Sequence, residues 1–113
     1  MIRAWDLDTG EPRFPAGLRG SGPVHTLAIG ELADQQVIIS GGEDNAVRVW
    51  DLRTGDALGS PLTGHTGTVQ NVAFVVVRGH EAIVSSGADE TVRVWDVRKR
   101  FGSYWLHRIT RRR

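Results

Sequence analysis

Serine, histidine and aspartate, the side chains of a hydrolytic triad, occur in this chain as Ser85, His65 and Asp89. A nucleophilic serine needs an exposed, sharply turned backbone of the kind Gly-x-Ser-x-Gly provides. Ser85 instead falls inside the apolar stretch Ala82-Ile83-Val84-Ser85 and has no such elbow. Other reactive arrangements are equally incomplete. Lys99 is the single lysine, no Gly-x-x-x-x-Gly-Lys stretch exists to cradle phosphates, and Gly20-Ser21-Gly22 lacks the rest of a dinucleotide fingerprint. His65 and His80 match no metal-ligand spacing, and there is no cysteine for a disulfide, metal site or thiol nucleophile. Glu43-Asp44 and Asp89-Glu90 are adjacent carboxylates, but they lie in turn-type sequence, where acidic side chains serve local hydrogen bonds. Arg3, Arg48 and Arg93 form a regular series that could surround an anion. The more ordinary use of such a side chain is to pack its stem between layers and leave its charge at the rim. The residues point to a non-enzyme with no cofactor and no metal.

The elements that would carry these side chains repeat. Trp-Asp occurs at Trp5-Asp6, Trp50-Asp51 and Trp95-Asp96, each 45 residues from the last. Val37 to Asp51 lies over Ala82 to Asp96 at the same offset, with serine, glycine, aspartate, valine, arginine, valine, tryptophan and aspartate recurring in register. Ile2 to Gly10 matches Val47 to Gly55 as a partial third copy. Within each period the sequence predicts three strands rich in β-branched residues: from Val24 and Val69, over Val37–Ser40 and Ile83–Ser86, and over Ala46–Trp50 and Thr91–Trp95. Gly41 to Asn45 and Gly87 to Glu90 read as tight turns, and Asp8-Thr9-Gly10 and Arg53-Thr54-Gly55-Asp56 as turns into an outer strand. No segment has helical periodicity.

A 45-residue period carrying Trp-Asp resembles the WD40-repeat family, whose units are four-stranded propeller blades. The resemblance covers roughly residues 2 to 98 and implies an all-β fold of WD40-type blades, each of four antiparallel strands. About two to three blades are present: a partial unit at 2–18, units at 20–55 and 64–98, and a basic, out-of-pattern tail at 99–113. Because the family's sequence repeat is offset from its blade, residues 2–18 are expected to be the last two strands of one blade. Residues 24 to about 62 should then make a complete blade, and residues 69–98 three strands of another whose outer strand comes from the tail. The resemblance also implies a structural tetrad in which the Trp95 indole donates to Ser85, Ser85 to His65, and His65 to Asp89. The preceding unit keeps Ser40, Asp44 and Trp50, but Gly20-Ser21 stands where Gly64-His65 would be, and His25 is offset wrongly to substitute.

Function in this family usually sits on the face carrying the turns between second and third strands and the loop entering the first. Here that implies Pro23, His25, Glu43, Thr68, Gln70 and Ala88 as candidate residues for binding a protein or peptide. The tail supports a different reading. Residues 1–97 hold 7 basic and 13 acidic residues, whereas residues 98–113 hold 7 basic and no acidic ones. Arg98 to Arg113, with Phe101, Tyr104, Trp105 and His107 between them, could bind nucleic acid by phosphate neutralisation and stacking. A third reading is a regulatory or sensor fragment of a larger multidomain protein.

At 113 residues, 40% hydrophobic and 24% charged, the composition is that of a soluble globular protein. The longest apolar run, Val72 to Val77, is too short for a membrane span. The start shows no secretory signal, so a cytoplasmic location is expected. Propellers close with about 4–8 blades, so the expectation is a fragment of a longer protein, with a head-to-tail homo-oligomeric ring as the alternative.

Overall fold

The computed structural model describes residues 2, 5–12, 23–32, 34–97 and 105–110. Among these every regular element is a strand: β1 (Val24–Leu32), β2 (Gln35–Gly42), β3 (Val47–Asp51), β4 (Val69–Val77), β5 (His80–Gly87), β6 (Val92–Val97) and β7 (Trp105–Thr110). They form two antiparallel sheets, β1-β2-β3 and β4-β5-β6-β7, and no described helix could cross a membrane.

The sheets are one design used twice. Ser40 pairs with Arg48 as Ser85 pairs with Arg93, and Ile38 pairs with Trp50 as Ile83 pairs with Trp95. Each first strand has a register shift near its start, between Val24 and Thr26 and between Val69 and Asn71. The fourth strands differ. In the second sheet β7 pairs with β6 from Val92↔Thr110 to Val97↔Trp105, so residues 105–110 of the basic tail are the outer strand. In the first sheet the outer position is taken by bridges Val47↔Leu62 and Trp50↔Ala57, with Gly59-Ser60-Pro61 between them. Proline donates no hydrogen bond and glycine weakens a strand, so this edge is held at its two ends only.

Side-chain alternation gives each sheet two faces, and the sheets stack unlike face to unlike face. Val37, Ile39, Val47 and Val49 of the first sheet pack on Val72, Ile83 and Trp95 of the second in one buried cluster, with Leu32, Leu62 and Val69. Runs apolar on both sides, such as Val37-Ile38-Ile39, are the mark of strands covered on both faces. The opposite face of the first sheet, with Ile38 and Trp50, packs on Ile2.

The partial unit at the start repeats the turn that follows Trp50. Trp5 bridges Pro12 as Trp50 bridges Ala57. Asp6 Oδ1 accepts the Asp8 N–H at 2.8 Å, and Asp51 Oδ1 accepts the Arg53 N–H at 2.8 Å. The Gly10 N–H reaches the Asp6 carbonyl at 2.8 Å, and the Gly55 N–H reaches the Asp51 carbonyl at 2.7 Å. Both glycines have positive φ, 76° and 83°, which a side chain would resist. At Trp5-Asp6 and Trp50-Asp51 the aspartate therefore works as a turn former that sends the chain back toward the outer position.

Candidate functional site

Four side chains from four places along the chain meet at one buried spot. Trp95 on β6 donates its indole N–H to Ser85 Oγ at 2.9 Å. Ser85 on β5 lies 2.8 Å from His65 Nε2. His65 Nδ1 lies 3.1 Å from Asp89 Oδ2, in the turn between β5 and β6. Since the carboxylate only accepts, His65 must carry its proton on Nδ1, and the Ser85 hydroxyl donates to Nε2. Each group has a partner of the right kind. Burial alone would raise the Asp89 carboxyl's pKa, but hydrogen bonds outweigh it and hold the group well below the usual carboxylate range. The donors are the Thr66 N–H at 2.9 Å, the Thr91 hydroxyl at 2.8 Å, the His65 ring and the Thr91 N–H at 3.2 Å.

This arrangement cannot act as a hydrolytic triad in the folded state. Ser85 is 1% exposed and His65 5%, so a substrate carbonyl has no approach to the serine oxygen. That oxygen also receives the indole N–H, which lowers rather than raises its nucleophilicity. Among the described residues no group of three acidic, histidine or cysteine side chains could hold a metal ion.

The first sheet holds its equivalents differently. Trp50 donates to Ser40 at 3.1 Å. Asp44 faces Arg48, whose Nε and Nη2 lie 3.1 and 2.7 Å from Oδ2. His25 is turned away to Glu43, at 2.9 Å, and Gly20-Ser21 lies outside the described residues.

The two described arginines of the series, Arg48 and Arg93, are held differently. Arg3 lies outside the described residues, and Arg48 is bound to Asp44. Arg93 corrects the expectation of a rim charge: it is 7% exposed. Its Nε has no hydrogen-bond partner among the described residues, and its guanidinium packs so closely on Gly64 that a Cβ there would fall 2.6 Å from Nη1. Asp89, its counterpart to Asp44, is held by His65.

The candidate binding residues are gathered at one end of both sheets. The Glu43 N–H reaches the Pro23 carbonyl at 3.1 Å, and the Ala88 N–H reaches the Thr68 carbonyl at 2.8 Å. These two equivalent bonds tie each inter-strand turn to the start of the first strand. Pro23, His25, Glu43, Gln70 and Ala88 are exposed, and Thr68 is half-buried. At the opposite end, a cavity of about 250 Å³ is lined by Asp34, Gln35, Gln36, Asp51, Leu52 and Arg53, none of them a candidate from sequence. The tail residues Arg98, Lys99, Arg100, Phe101, Tyr104 and Arg111 to Arg113 lie outside the described residues.

Residues 16–51 and 56–96 match the family model for the WD domain, G-beta repeat, WD40. The crystal structure of RRP9 WD40 repeats superposes with a TM-score of 0.72 at 22% identity, covering 95% of this chain and 31% of that one. The structure of U3-55K superposes with a TM-score of 0.68 at 24% identity, covering 92% of this chain and 32% of that one. The chain thus spans about a third of the length of each. No curated protein matches the sequence.

Proposed function

Because the chain belongs to the WD40-repeat family, we propose that it is a non-enzymatic interaction or scaffold segment that docks a protein or peptide partner. The docking surface is the end of the sheets bearing Pro23, His25, Glu43, Thr68, Gln70 and Ala88. The observation that carries this reading is the pair of equivalent bonds, Glu43 to Pro23 and Ala88 to Thr68. They fix two exposed turns side by side on a rigid base, which is how a scaffold presents variable side chains. The polar tetrad supports the reading from below, since its buried groups are used up in holding the turn at Asp89.

Peptide-display selection against the immobilised 113-residue chain tests it. Selected peptides should lose at least tenfold in affinity on Glu43→Ala or Gln70→Ala, while the unfolding free energy stays within about 0.5 kcal/mol of the wild type, as exposed substitutions generally do. Peptides indifferent to every substitution on this face would overturn the reading.

A further inference from the structure

The two sheets make the same turn yet hold its aspartate in different ways. After each aspartate comes a residue with positive φ, Asn45 at 67° and Glu90 at 65°. The N–H of that residue reaches back to a glycine carbonyl, Gly42 at 3.2 Å and Gly87 at 3.0 Å. Each carboxylate Oδ1 accepts the N–H two residues on, Ala46 and Thr91, both at 3.2 Å. Four residues after each aspartate an arginine sits opposite the serine of its sheet. With backbone and register alike, Arg93 stands relative to Asp89 where Arg48 stands relative to Asp44. Arg48 grips Asp44 with two donors. No hydrogen bond joins Arg93 to Asp89, which His65 holds, and the buried Arg93 Nε has no partner among the described residues. An unsatisfied buried donor is costly, so Arg93 stores a drive toward any acceptor that becomes free.

We propose that Asp89 is a two-position latch, held by His65 in the present arrangement and by Arg93, in the Arg48–Asp44 geometry, when the His65 ring withdraws. The exchange keeps the carboxylate partnered, so the turn survives it. What changes is the segment bearing His65, which leads through Thr66, bound to Asp89 at 2.9 Å, to Thr68 and Gln70. The latch therefore gives the loop entering β4 a second position without unfolding the sheet. This goes beyond a docking role and does not depend on one.

The test uses the full chain. In nuclear magnetic resonance spectra, the Arg93 Nε–H signal, assigned by its disappearance in Arg93→Lys, should move in His65→Ala toward the position of the Arg48 Nε–H. An unmoved signal would overturn the latch. Unfolding midpoints give a second reading that a space-filling role would not reproduce. Arg93→Leu should leave the wild-type midpoint unchanged or raised, whereas the same substitution in His65→Ala should lower it. Equal losses in the two backgrounds would sink the proposal. If His65→Ala does not fold, wild-type chains carrying Arg48→Leu or Arg93→Leu still decide. A clear loss for Arg48→Leu alone supports the latch, and equal losses overturn it.

Discussion

Among the described residues Ser85 has two side-chain partners and Ser40 has one. Removing the Ser85 hydroxyl leaves the Trp95 indole N–H and His65 Nε2 buried without their bonds, whereas removing that of Ser40 strands the Trp50 indole. At about 1–3 kcal/mol for each stranded group, Ser85→Ala should destabilise by roughly twice as much as Ser40→Ala in urea titrations. Equal losses would mean that the histidine limb adds nothing. Asp89 adds a pH dependence. Its folded pKa is depressed, so its stabilisation is present above the ordinary carboxylate range and is lost as pH falls through and below that range. Thermal melts between neutral pH and pH 2 should show a steeper acid loss for wild type than for Asp89→Asn; parallel curves would refute the assignment. The residue types and 45-residue spacing made this cluster legible in the sequence. The lack of a partner for Arg93 Nε among the described residues was not, because the same Asp-to-Arg spacing gives an ion pair one unit earlier.

Strands were legible wherever β-branched residues ran together, as at Val37–Ser40, but their ends were not. The hairpin joining β4 to β5 turns on Arg78 and Gly79, with φ of 52° and 80°. This is the two-residue, positive-φ turn whose twist suits antiparallel strands, and Arg78-Gly79 signals it only weakly. The approach of β1 to β4 was equally hidden, since it joins residues about one period apart. Gly30 shows what that approach demands: a Cβ there would fall 2.5 Å from Cγ of Phe74 and 2.9 Å from its Cβ. Gly30→Ala should therefore cost about 1–3 kcal/mol by overpacking, and Phe74→Leu should be less harmful in the Gly30→Ala background than alone. Additive losses in a double-mutant cycle would show that the ring does not occupy that slot.

Stacking unlike faces leaves the whole molecule with surfaces that its own architecture covers elsewhere. Val72 and Phe74 of β4 pack in the cluster between the sheets, with Ala28 of β1. One period earlier, Leu27 and Ile29 occupy the same positions on β1, and they are 52% and 61% exposed. Ile2 packs beside Ile38 and Trp50, toward the outer half of that face. The inner half therefore presents a strip of two large apolar side chains along a strand whose far edge has no paired strand among the described residues. Such a strip beside an open edge favours association. Light scattering on the wild-type chain should thus show concentration-dependent association. Leu27→Lys with Ile29→Lys should reduce it without lowering the unfolding midpoint, because those side chains contribute little burial to the monomer. Unchanged association in the double variant would place the sticky surface elsewhere. The partly buried Val84, Val92 and Val94, which sit where Ile39, Val47 and Val49 are covered one period earlier, are the face to substitute next.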